Sequence, residues 1–206
     1  MNRAVFIDKD GTLVKNVPYN VDPQKVQLVK TAAEAIAKFH GLGYKIIIVT
    51  NQSGVARGLF SEEDVETIGK TLRRIVKMKS QVDIDGFFYC PHHPEGVVSQ
   101  YAIDCDCRKP RPGMLIRAAC EMEVDLAKSW MIGDILDDIE AGNLAGCRTI
   151  MVDCGNETEW VVSENRVPTY MAQDLIEAVE YIEAEENNDI IGGKGDRSLQ
   201  VYGSGK

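Results

Sequence analysis

Two carboxylates one residue apart, Asp8 and Asp10, follow the hydrophobic run Ala4-Val5-Phe6-Ile7 and precede Gly11-Thr12. The run reads as a buried strand, which would deliver both acids to its carboxyl end. In an open parallel sheet that end is where ligands bind, so the pair would face a shared substrate. One acid could attack phosphorus while the other manages protons, and a divalent cation would suppress repulsion between a carboxylate nucleophile and an anionic substrate. Gly11 lets the chain turn away sharply. Taken alone, Asp-x-Asp-Gly is also an ordinary way to end a strand in a turn.

Three further polar clusters follow expected strands: Thr50-Asn51-Gln52-Ser53, Arg108-Lys109, and Gly133-Asp134 with Asp137 and Asp138 close behind. The Thr50 hydroxyl could hold phosphoryl oxygens, and Lys109 could neutralise charge that develops during transfer. Asp8, a main-chain oxygen at Asp10, and Asp134 would make a plausible shell for Mg²⁺, which takes hard oxygen ligands and keeps several waters. Each cluster alone has a plainer reading as turn, solvated charge or helix cap. All four in this order are hard to reconcile with that reading.

A second constellation lies between Cys90 and Cys107. Cys90-Pro91-His92-His93 and Cys105-Asp106-Cys107 set thiols and imidazole in two tight pairs. Such a four-ligand set suits tetrahedral Zn²⁺. A long polar loop has no core of its own, so a structural ion closing it would order it and hold Arg108-Lys109 in place. His93 competes with His92 as the fourth ligand, and the Cys-x-His spacing that mirrors Cys-x-Cys favours His92. Cys120, Cys147 and Cys154 read as core or unpaired thiols.

The elements that must position these groups are legible as short apolar runs alternating with longer amphipathic ones. That pattern is a doubly wound α/β fold, a mainly parallel sheet with helices on both faces, right-handed crossovers and no large cap. Strands are expected at Ala4–Ile7, Lys45–Val49, Gly86–Cys90, Trp130–Ile132 and Thr149–Val152. Helices are expected from a capping box at Thr31 to Leu42, from Ser61 to Lys79, after Pro112-Gly113, over Leu136–Ala145, and from Asp174 to Glu186. Residues 1–186 would form a single domain containing the zinc loop (90–107), and the Gly-rich segment 187–206 a flexible tail. A net charge of −9 without a block of basic residues argues against nucleic acid or an anionic membrane as partner. With no signal peptide and no apolar run near ~18 residues, the expected location is the cytoplasm.

With these residues in view, the chain resembles the haloacid dehalogenase superfamily of phosphohydrolases, whose four motifs look like Asp8-Lys9-Asp10-Gly11-Thr12, Thr50-Asn51, Lys109 and Gly133-Asp134-x-x-x-Asp138. The resemblance covers nearly everything before the tail. It implies that Asp8 is the nucleophile and that Asp10 is first general acid, then base. Thr50 and Lys109 would stabilise the phosphoryl group, and Asp134 would complete the Mg²⁺ site. Asp138, or Asp137 in its stead, would orient Lys109 or a metal-bound water. Cys-Pro-His-His-Pro followed by Cys-x-Cys-Arg-Lys-Pro is similar to the zinc-loop sugar-bisphosphate and histidinol phosphatase-like members. Zinc on Cys90, His92, Cys105 and Cys107 is thereby implied, as are substrate contacts from Asn16, Tyr19, Thr50, Asn51, Gln52, Ser53, Arg108 and Lys109. The implied reaction removes the C7 phosphate of D-glycero-D-manno-heptose 1,7-bisphosphate, with histidinol phosphate or another small phosphomonoester as the alternative and a noncatalytic zinc-stabilised binding module as the remote one. The Arg108 guanidinium would grip the distal phosphate. Asn16 and Ile135 depart from the pattern, where Asp and Lys are expected. The resemblance also implies a monomer.

Overall fold

The computed structural model describes residues 1–161 and 163–192. Six parallel strands, β1 (Ala4–Asp8), β2 (Lys45–Asn51), β3 (Gly86–Cys90), β4 (Trp130–Gly133), β5 (Arg148–Val152) and β6 (Tyr170–Ala172), form one sheet in the order β3-β2-β1-β4-β5-β6. Four helices intervene, α1 (Ala32–Gly41), α2 (Glu62–Ser80), α3 (Gly113–Met122) and α4 (Leu136–Ala145), and α5 (Leu175–Gly192) follows β6. The chain winds outward from β1 to β3, then returns to the other side of β1 and winds outward again. The switch point therefore lies between β1 and β4, at whose carboxyl ends a crevice opens.

Burial explains why the central strands are uninterruptedly apolar. All five residues of β1 are buried, because helices cover both faces of a parallel sheet. Strand alternation then divides the core in two. Val5, Ile7, Ile46 and Ile48 pack with Ile36 and Phe39 of α1, Leu72 and Val76 of α2, and Val179 and Ile182 of α5. Ala4, Phe6, Ile47 and Val49 pack with Met114, Leu115 and Ala118 of α3 and Ala141 of α4. No helix among the described residues is long and apolar enough to cross a membrane.

Three local expectations need correction. The capping box at Ser61 forms, with Asp64 returning a 2.8 Å bond to the Ser61 amide, but Thr31 makes no side-chain cap because its own backbone (φ −92, ψ −8) is already helical. The strand β6 was not foreseen; at three residues it is too short to show an alternation. Helix α5 continues past Glu186 to Gly192, so residues 187–192, expected to begin a flexible tail, are helical. No proline or glycine interrupts the run before Gly192, and each added residue extends an existing ladder. The remainder of the expected tail lies outside the described residues.

Candidate active site

Asp8 ends β1, with only 7 % of its surface exposed. Lys109, arriving from the loop before α3, places Nζ 2.5 Å from Asp8 Oδ1 and 2.5 Å from Asp138 Oδ1 on α4. Its backbone is held from β2, where the Asn51 carboxamide accepts from Lys109 N (3.1 Å) and donates to Lys109 O (3.0 Å). Asn51, expected to touch substrate, lines both clefts of the site, and its side chain also fixes the lysine segment. Asp134, just beyond β4, accepts from Thr12 Oγ1 and Asn156 Nδ2, both at 2.7 Å. Gly11 is required here: it turns at φ +99, and an added Cβ would overlap Asp134 Oδ2 and Asn156 Nδ2.

Three buried carboxylates thus face one ammonium. Burial pushes the Asp8 carboxyl up to about 7; Lys109 opposes this, while the charges of Asp138 and Asp10 add to it. Burial, then the charge of Asp8, lifts Asp134 to about 6 against the hydrogen bonds from Thr12 and Asn156. Asp138 is raised by burial against the pull of Lys109. Burial alone would lower Lys109, but the carboxylates of Asp138 and Asp8 outweigh it and hold the ammonium protonated. Oxygens of Asp8, Asp134 and Asp138 all lie within 4.8 Å of one another. A hard, all-oxygen, charge-deficient set of this kind fits a divalent cation of the Mg²⁺ type.

Asp10 sits beside this centre, with Lys9 Nζ 2.8 Å from Oδ1 and Gln52 Nε2 3.0 Å from Oδ2. Thr50 is buried, and its hydroxyl oxygen accepts from the same Gln52 amide at 2.9 Å. Two clefts meet here. One, of about 530 Å³, is lined by Asp8, Asp10, Thr50, Lys109, Asp134 and Asp138 with Asn16, Asn51, Ile135 and Asn156. The other, of about 400 Å³, shares Asp10, Asn16 and Asn51 with it and adds Tyr19, Gln52 and Ser53. Arg108 lines neither; its Nη1 is buried without a hydrogen-bond partner among the described residues. Asp137, weighed as a substitute for Asp138, instead pairs with Arg166 at 2.7 Å, because adjacent helix positions point about 100° apart. Asn156 was missed from sequence. It follows β5 in a loop with no motif, and the only available signal was a polar residue shortly after a strand end.

In the loop after β3, Cys107 Sγ lies 3.2 Å from Cys90 Sγ, 3.4 Å from Cys105 Sγ and 3.4 Å from His92 Nδ1. Sulfurs at the corners of a tetrahedral Zn–S site would stand about 3.7 Å apart, so the spacing is close to that of a metal cage. The hydrogen bond between Cys107 and Cys90, joined by those to Cys105 and His92, draws the Cys107 thiol down to about 5, while Cys107 and burial push Cys90 up. His93 is turned away: Nδ1 accepts from Glu95 N, and Nε2 lies 3.1 Å from Arg57 Nη2. Glu62 in the first turn of α2 ties the loop down through Tyr89 Oη (3.0 Å) and Tyr101 Oη (2.6 Å).

Residues 106–178 match the HAD-hydrolase-like family model. Over 182 residues the chain is 39% identical to the D-glycero-beta-D-manno-heptose-1,7-bisphosphate 7-phosphatase of Photorhabdus laumondii subsp. laumondii, covering 87% of this chain and 96% of that one. The chain belongs to the haloacid dehalogenase-like hydrolases. This hydrolase is also 36% identical over 169 residues to the protein of the same name from Escherichia coli K12, across 78% of its own length and 88% of the relative's. The crystal structure of the D,D-heptose 1,7-bisphosphate phosphatase from B. bronchiseptica complexed with magnesium and phosphate superposes with a TM-score of 0.75 at 30% identity, covering 89% of the hydrolase and 99% of that chain. The haloacid dehalogenase-like fold and the carboxylate-lysine centre are those of a Mg²⁺-dependent phosphatase.

Proposed function

We propose that this hydrolase removes the C7 phosphate of D-glycero-D-manno-heptose 1,7-bisphosphate through an aspartyl-phosphate on Asp8. The observation that carries the reading is the joining of the two clefts at Asp10, which puts a proton-handling carboxyl between the Asp8–Lys109 pair and a second, polar-lined cleft. Its similarity to heptose-1,7-bisphosphate phosphatases supports the choice of heptose.

In the first step an Asp8 carboxylate oxygen bonds to phosphorus as the bond from phosphorus to the sugar oxygen breaks, and Asp10 gives its proton to that oxygen. In the second, Asp10 takes a proton from water as that water attacks the aspartyl-phosphate, releasing phosphate and the Asp8 carboxylate. Thr50 and Lys109 hold the phosphoryl oxygens, and Asp138 holds Lys109. Asp8, the main-chain oxygen of Asp10 and Asp134 would bind Mg²⁺, whose charge offsets repulsion between the carboxylates and the incoming phosphate. Asn16, Tyr19, Asn51, Gln52 and Ser53, which line the clefts, would meet the sugar, and the Arg108 guanidinium, on substrate binding, the distal phosphate. The reading includes a monomer in the cytoplasm.

Steady-state kinetics on heptose 1,7-bisphosphate and histidinol phosphate test the substrate. The bisphosphate is expected to have the higher kcat/KM, and Arg108→Ala to lower it by about 10–100-fold, the range of a lost hydrogen bond to a charged group. Histidinol phosphate should change little. Equal losses on both esters would refute the assignment of Arg108, and a preference for histidinol phosphate would refute the substrate.

We also propose that Cys90, His92, Cys105 and Cys107 bind a structural Zn²⁺. A cross-link closing a loop of about 15 residues contributes about 3 kcal/mol. Cys107→Ser is therefore expected to lose zinc and to lower Tm by about 6–12 °C in a chain of this size. Elemental analysis showing no zinc in the fully active wild type would rule the metal out.

A further inference from the structure

Lys9 lies between the two reacting acids and is only 4 % exposed. A lysine that deeply placed requires an anionic partner, since its ammonium has left water. Among the described residues its one ion pair is with Asp10, 2.8 Å from Nζ to Oδ1. The opposite oxygen of the same carboxylate meets Gln52 Nε2 at 3.0 Å, and that amide also reaches Thr50 Oγ1 at 2.9 Å. Lys9 is held by its own backbone, whose carbonyl accepts from Leu13 N (3.1 Å) and Val14 N (2.9 Å) in the turn that follows β1. The Asp10 side chain, by contrast, is 31 % exposed at the mouth of the substrate cleft, where these two donors are its side-chain hydrogen-bond partners among the described residues.

We propose that Lys9 is a positioning residue, whose ammonium acts with the Gln52 carboxamide as a two-sided clamp that aims the Asp10 carboxyl at the leaving oxygen. The clamp joins the end of β1 to the end of β2, so the proton donor is referenced to the same two strands that carry the nucleophile and Thr50. Proton transfer falls off steeply once donor and acceptor leave hydrogen-bond reach, and a carboxyl free to swing would spend much of its time elsewhere. The inference rests on the roles given above to Asp8 and Asp10 and not on which sugar is the substrate.

Leaving-group dependence separates this role from a merely structural one. A sugar alkoxide must be protonated as it departs; p-nitrophenolate leaves without help. The value of kcat/KM reports steps only as far as the first phosphoryl transfer, so the later proton-accepting work of Asp10 does not enter it. For Lys9→Met, which keeps length and loses the charge, kcat/KM on the bisphosphate and on a simple primary sugar phosphate, mannose 6-phosphate, should fall on the order of 100-fold, at the lower end of general-acid contributions. On p-nitrophenyl phosphate it should change by less than about 3-fold. Lys9→Arg should recover most of the loss, and Lys9→Gln serves in place of the methionine variant if that does not fold. Equal losses on alkyl and aryl esters, or no recovery with arginine, would overturn the clamp. A split on mannose 6-phosphate in an enzyme that ignores the bisphosphate would uphold the clamp and refute the substrate.

Discussion

Asp8→Asn is expected to abolish turnover, lowering kcat/KM by roughly 10⁴–10⁶-fold, as removal of an enzymatic nucleophile commonly does. The carboxamide has nearly the shape of the carboxylate, so the buried slot at the end of β1 stays filled. Its oxygen still accepts from Lys109 Nζ, and Lys109 keeps its ion pair with Asp138. One negative charge leaves a cluster of three buried carboxylates that share one ammonium, so repulsion falls and Tm should not drop. The amide oxygen, however, is a poor nucleophile toward phosphorus. Rapid acid quench after mixing with labelled substrate, followed by peptide mass analysis, should show a phosphoryl adduct on Asp8 of the wild type and none in the variant. Residual activity within about 100-fold of wild type, or an adduct on a different residue, would remove Asp8 from the centre of the chemistry.

Lys109→Met is expected to damage both catalysis and folding. Lys109 is 2 % exposed and bridges Asp8 and Asp138 at 2.5 Å each. Deleting one member of a buried ion cluster leaves the others uncompensated, a loss of about 3–5 kcal/mol. In a chain of this length that corresponds to a drop in Tm of about 6–20 °C. With no ammonium against the transferring phosphoryl group, kcat should also fall by about 10²–10³-fold, the range for one lost electrostatic stabiliser. Arginine is not expected to rescue it. The planar guanidinium fork is larger than the ammonium and cannot replace a point charge between two carboxylates in a closed slot. Thermal melts and kinetics on the same preparations decide the matter: a Tm within about 2 °C of wild type together with a kcat loss below about 10-fold would contradict the bridging role.

Much of the fold was readable in one dimension. A buried parallel strand must be apolar throughout and then become polar where it leaves the sheet. Ala4–Asp8 and Lys45–Asn51 show that switch clearly, which is why Asp8, Asp10 and Thr50 could be placed at strand ends. Tyr170–Ala172 did not show it, being short and paired only with β5. The length of α5 was also misjudged, because the polar composition of Asn187-Asn188-Asp189 resembles a tail although nothing in it breaks a helix.

Side-chain partners were less legible, and neighbours of the same type least of all. His92 and His93 are equivalent in composition; Glu95 N and Arg57 engage one, while the three thiols gather around the other. Asp137 and Asp138 differ by one step of a helix, yet packing buries Asp138 against Lys109 and leaves Asp137 to Arg166. Asn51 stood out only as a substrate ligand, and its second role as a bracket for the Lys109 backbone had no signal in the sequence. Asn156 and the grip of Lys9 and Gln52 on Asp10 had no local signature.

The amino-acid order by itself determined which groups were available, where each would leave the sheet, and that they were suited to phosphoryl transfer and to a thiol–imidazole metal site. Those properties are local, set by residue chemistry and by the period of the backbone. Tertiary structure alone decided which groups meet. Lys109 reaches Asp8 across 101 positions of sequence, and a contact of that kind depends on how helices pack over the sheet, which no stretch of sequence around either residue encodes.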